Sequence, residues 1–112
     1  MKRVYLCGKI SGEPFNMASK KFKDAEKMLL EEYFPDDEIV NPIEHCKRVA
    51  SIYRISEEVF EDWKWCMSVD FAELLTCDVI ALLPDWMDSV GARIEYAIAR
   101  ELKLRVHYIN II

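Results

Sequence analysis

The sequence predicts one α/β domain, 1–112, in which a parallel sheet carries helices on both faces. Three observations predict it. Short apolar runs that stop at glycine or proline alternate with segments of helical spacing, and strand–helix–strand order forces right-handed crossovers between parallel strands. The runs are continuous rather than alternating, "VYLC" and "VIALL" above all, as expected of strands covered on both sides. Finally, 112 residues with 52% hydrophobic and 31% charged content support one packed core rather than two.

Each element has its own signal. "RVYLC", Arg3 to Cys7, is β-rich and breaks at Gly8, so the chain starts on a central strand. Met17 to Tyr33 is predicted helical from Ala18, Phe22, Ala25, Met28 and Leu29. "DEIVNP" gives a second strand. Asn41, Pro42 and Glu44 then read as cap, first turn and capping carboxylate of a helix through "IEHCKRVA". Ser56 opens a further helix, with Glu57 and Glu58 in its first turn, running to about Thr76. "DVIALLP", Asp78 to Pro84, is the clearest strand; a helix from Val90 to Leu104 and a last strand, "RVHYINI", complete the pattern.

Composition excludes several classes of function. A net charge of −5 supplies no positive field for a nucleic-acid polymer, and Lys20, Lys21 and Lys23 read as the wet side of a helix. Four cysteines and two histidines complete no zinc spacing. No metal or organic cofactor is expected. No run approaches a membrane span or a signal peptide, so no membrane partner and a cytoplasmic setting are expected.

In parallel sheets ligands bind beyond the carboxyl ends of the strands, which singles out three loops. The first offers Gly8, Lys9, Ile10, Ser11 and Gly12; the second Asn41 and Pro42; the third Asp85, Trp86, Ser89 and Gly91. The first loop matches neither G-x-G-x-x-G nor the Walker pattern. Ser89 is a helix cap and part of a ready anion site, and Trp86 is placed to stack on a flat base. Trp63 and Trp65 read as packing.

Two carboxylates break the helical pattern. At about 100° per residue, Glu95 shares a face with Gly91, Ala92, Ile98, Ala99 and Leu102, and Asp70 shares one with Trp63, Cys66, Met67, Leu74 and Cys77. A surface helix keeps its acids opposite its apolar stripe. Two readings are open. Either each acid satisfies a structural partner, or the pair shares a sheltered site and divides nucleophilic and acid/base work. Tyr5, on the first strand, packs in the core or projects its phenol toward the cleft.

These residues resemble the nucleoside 2-deoxyribosyltransferase superfamily over nearly the whole chain. "VYLCGKISG" resembles the Y-x-C-G-x-I-x-G segment of the 2'-deoxynucleoside 5'-monophosphate N-glycosidases. Asp70 keeps the family's spacing to its next strand, and "SVGARIE" fits S-x-G-x-x-x-E, whose glutamate is the family's nucleophile. Asn41-Pro42 and Leu83 to Glu95 are similar to the short, uncharacterised members, which carry "NP" and "LPxWxxSxGAxxE". The resemblance implies a flavodoxin-like, Rossmann-like three-layer sandwich with a small parallel sheet of four or five strands. It implies that Glu95 attacks the anomeric carbon of a (deoxy)ribonucleoside or its 5'-monophosphate, by hydrolysis or by transfer to a second base. Asp70 would protonate the leaving base or position the sugar, Tyr5 would adjust the glutamate, and Ser89 with Gly8 to Gly12 would hold sugar or phosphate. A homo-oligomer is implied too. Where the N-glycosidases continue with glycine and basic residues, this chain has Gly12-Glu13-Pro14. The alternative is a non-catalytic nucleotide or nucleotide-sugar binding protein using the same cleft.

Overall fold

A computed structural model of the chain describes residues 1–110. Four parallel strands, β1 (Arg3–Cys7), β2 (Glu38–Val40), β3 (Val79–Leu82) and β4 (Arg105–Tyr108), lie in the order β2-β1-β3-β4. The helices are α1 (Phe15–Glu32), α2 (Pro42–Ile52), α3 (Glu57–Phe60), α4 (Trp63–Leu74) and α5 (Val90–Glu101). This is the flavodoxin-like three-layer arrangement expected from the sequence.

Alternation along β1 assigns the two faces. Val4 and Leu6 join Ala18, Phe22, Ala25 and Leu29 of α1 in one core, while Tyr5 and Cys7 join Leu74, Ala92 and Ala99 of α4 and α5 in the other. Each large apolar side chain so buried contributes about 1.5–3 kcal/mol. The chain leaves β1 toward β2 on one side and returns past it to β3 on the other, so the connections diverge between β1 and β3. A crevice opens at the carboxyl ends of strands at such a switch point.

The Asn41, Pro42 and Ser89 signals act as the sequence indicates, but Glu44 does not reach back to the cap: its Oε1 finds no hydrogen-bond donor among the described residues and lies 3.6 Å from the Lys23 and Lys47 ammonium groups. Asn41 Oδ1 accepts the N–H groups of Ile43 and Glu44 at 3.1 and 3.4 Å, with Pro42 in the first turn. Ser89 Oγ accepts the Ala92 N–H at 3.2 Å. Boundaries differ from expectation most at three places. The helix expected from Ser56 to Thr76 is two helices, because Asp62 accepts the Trp65 N–H at 3.0 Å and starts α4 afresh. The last helix ends at Glu101 rather than Leu104, with Lys103 at φ 61°; Leu102, assigned to its apolar face, is exposed. The last strand ends at Tyr108, and Ile111, counted in it from the sequence, lies outside the described residues.

Candidate functional site

At the β1–β3 switch point lies a cleft of about 540 Å³. Its walls come from all three loops expected from the sequence, from Phe15 at the start of α1 and from α2, α3, α4 and α5. Glu95 and Asp70 both line it, and both are buried, at 6% and 7% exposure. The two misplaced acids therefore meet in one hollow rather than facing separate seams.

Their surroundings differ. The Tyr5 hydroxyl, at 0% exposure on β1, donates to Glu95 Oε2 at 2.5 Å. The Cys7 thiol, two residues on and so on the same face, lies 3.6 Å from Glu95 Oε1. Burial pushes the Glu95 carboxyl up to about 7, against the pull of these two donors. Asp70 has no such help: its Oδ1 finds no hydrogen-bond donor among the described residues. Burial, then the charge of Glu95, pushes Asp70 up to about 9. Burial, and next the Glu95 charge, holds Tyr5 and Cys7 well above their ordinary values, so both keep their protons and remain donors.

Between about pH 7 and 9 the cleft thus holds an ionised Glu95 beside a protonated Asp70. One group can attack an electrophilic carbon while its neighbour gives up a proton.

The loop residues divide. Gly8, Ile10, Ser11, Pro42, Ser89 and Gly91 line the cleft. A Cβ on Gly8 would lie 2.5 Å from Leu83 Cδ1, so glycine lets the ends of β1 and β3 close together. Lys9, Gly12, Asn41, Asp85 and Trp86 do not line it. Asn41 is taken up in capping α2 and in donating to Glu26 at 3.2 Å. Asp85 accepts the Lys9 N–H at 3.0 Å and the Lys21 ammonium at 2.5 Å, and Lys21 also reaches Glu13 and the Lys9 carbonyl, each at 2.8 Å. Lys21 is therefore no wet lysine; it pins the first and third loops together. Burial lowers it, but the hydrogen bonds of Asp85 and Glu13 outweigh that and leave it raised. Trp86 lies against Tyr96, ring centroids 4.5 Å apart.

The model of a family described as a domain of unknown function, DUF4406, matches residues 2–108. The chain belongs to the DUF4406 family. No curated protein matches it.

In this DUF4406 chain the cleft also has walls that the sequence reading missed. Phe15, Phe60 and Trp63 line it, with Glu57 and Glu61 from α3 and its end. Trp63, read as packing, is 44% exposed. Its place on the Asp70 face was visible in the helical spacing; that α4 begins at Trp63, and so exposes the indole at the cleft, was not. No group of three or more histidine, cysteine, aspartate or glutamate side chains arranged to hold a metal occurs among the described residues, and none of their helices is long and apolar enough to cross a membrane.

Proposed function

We propose that the protein cleaves or transfers the N-glycosidic bond of a (deoxy)ribonucleoside or nucleoside 5'-monophosphate, with Glu95 as the nucleophile. The observation that carries this reading is the differently solvated acid pair, Glu95 held by Tyr5 and Asp70 without a donor, in one cleft at the switch point. The motif resemblance to the nucleoside 2-deoxyribosyltransferase superfamily supports it.

In this mechanism the Glu95 carboxylate attacks C1' and the C1'–N bond breaks toward the base. Asp70 delivers its proton to a neutral leaving base or, where none is needed, orients the sugar. Tyr5 holds the attacking carboxylate in one orientation through its hydrogen bond. Water or a second base then attacks C1' and frees Glu95. Carboxyl pairs act in this way on glycosides generally.

The test is incubation with a panel of nucleosides and monophosphates, with and without an acceptor base, followed by chromatography for free base. Base release by the wild type and its loss in Glu95→Ala, with folding retained, is the expected result. Base release undiminished in Glu95→Ala removes the assignment. Binding without turnover by any panel member identifies a nucleotide-binding protein instead.

A further inference from the structure

The cleft has an unusual charge inventory for a nucleotide site. Four carboxyl side chains line it, Asp70 and Glu95 in its buried part and the exposed Glu57 and Glu61 from α3 and its end, yet no lysine or arginine does so among the described residues. Of the cations around the cleft, Lys9 makes no ion pair among the described residues and does not line the cleft, while several others are engaged. Lys21 is held by Asp85 and Glu13. Lys20, Lys23 and Lys47 line a separate shallow depression that shares only Phe15 with the cleft. There each lies within 4 Å of a carboxylate: Lys20 of Asp24, Lys23 and Lys47 of Glu44. A phosphomonoester entering the cleft would bring up to two negative charges toward the carboxylates of Glu95, Glu57 and Glu61, with no lysine or arginine side chain in the lining among the described residues, and like charges at close range are disfavoured.

The remaining lining points the same way. Phe60 and Trp63 line the cleft together with Phe15, whose ring already has the Lys47 ammonium 5.1 Å from its centroid. Aromatic faces attract cations, most strongly where nearby water is excluded. Asp70 Oδ1, nine-tenths buried and without a donor, is the polar atom of the cleft left for a ligand to satisfy.

Resting on the N-glycosidic reading above, we infer that the cleft is built for a cationic nucleoside, a positively charged N-heteroaromatic ring on an unphosphorylated sugar, and against the same compound carrying a 5'-phosphate. Such a substrate balances without a proton donor. The Glu95 carboxylate forms the bond to C1', the C1'–N bond breaks, and its electron pair neutralises the ring, which leaves uncharged. Water then attacks C1', releasing the free sugar and a proton and restoring the Glu95 carboxylate. In this case Asp70 serves to orient a sugar hydroxyl.

A charge series on one scaffold tests it: nicotinamide riboside, its uncharged 1,4-dihydro form, and the 5'-monophosphate of the cation. Binding is measured on the wild type, which keeps the Glu95 charge, by calorimetry where a compound is not turned over and as KM where it is, and base release on the same protein. The cation is expected to bind about tenfold tighter than the neutral form and tighter still than the monophosphate. High salt is expected to narrow the first gap, and a Glu57→Gln/Glu61→Gln double variant to narrow both. Equal binding of the cation and the neutral form, monophosphate binding as tight as that of the cation, or no binding by any of the three overturns the inference. Charge-ranked binding with no base released by the wild type leaves it standing and removes the glycosidase reading. Base release from neutral nucleosides with no charge ranking does the reverse.

Discussion

At the scale of single residues, the protein's pH behaviour is set by Glu95 and Asp70. Both carboxyls are raised by burial, to about 7 and about 9, so the folded state holds protons that the unfolded chain, with ordinary carboxyls near 4, has released. Their contribution to stability is therefore fully present below about pH 4 and is lost as pH rises through 7 and then 9. Across that range stability should fall by up to about 1.4 kcal/mol per pH unit for each extra proton held. Urea melts at pH 5, 7 and 9 check this: Asp70→Asn should flatten the upper part of the fall and be the more stable protein at pH 9. A wild type equally stable at pH 5 and 9 would contradict the assignment. Tyr5→Phe removes one of the two donors that pull Glu95 down. Its acid limb in a pH–rate profile should move upward and kcat/KM should fall roughly ten- to hundredfold, the equivalent of about 1.4–3 kcal/mol for a hydrogen bond to a charged group. An unmoved limb would reduce Tyr5 to packing.

At the scale of elements, the fold's less visible devices lie at helix ends. Neither α2 nor α5 ends on glycine. Arg54 and Lys103 instead take φ 53° and 61°, and the following residues, Ile55 and Leu104, donate to Ala50 and Ala99 carbonyls, each at 2.9 Å, the hydrogen bond that closes a left-handed helix end. A side chain there costs about 1–2 kcal/mol, partly offset by the unfolded-state entropy that glycine adds. Lys103→Gly should therefore raise stability by a few tenths to about 1 kcal/mol, measured as a shift in thermal midpoint. Gly8→Ala should do the opposite. Its Cβ would meet Leu83 Cδ1 at 2.5 Å and Leu83 Cβ at 2.9 Å, and such overpacking costs roughly 1–3 kcal/mol. Because Gly8 also lines the cleft, ligand binding should weaken with it. A Gly8→Ala protein as stable as the wild type would show that the β1–β3 junction yields more easily than its packing indicates.

At the scale of the whole molecule, a small α/β unit leaves its cleft with one open side. Phe15 and Trp63, at 49% and 44% exposure, stand at that cleft, and a homo-oligomer remains the proposal for what shields them. Sedimentation should give a multiple of the monomer mass; a monomer at all concentrations removes the proposal. The architecture was legible in the sequence because burial on both sides leaves a continuous apolar run, as in "VIALL", and because Asn41-Pro42 and Ser89 have few structural uses besides starting helices. The two anomalous acids were legible because helical periodicity is strict enough for a single carboxylate on an apolar stripe to stand out. What the sequence by itself determined, then, was the order of elements, the sheet's character and the two acids that break the pattern. Only the tertiary structure decided that those acids share one hollow, that Tyr5 and Cys7 serve Glu95 while Asp70 goes without a donor, that Lys21 is spent on Asp85, and that Trp63 and the α3 carboxylates form the cleft's outer wall. The physical reason is that period and propensity act over a few neighbouring residues, whereas desolvation, ion pairing and a cleft's net charge are sums over residues far apart in sequence, 25 positions for Asp70 and Glu95 and 90 for Tyr5 and Glu95, that only the packed chain brings together.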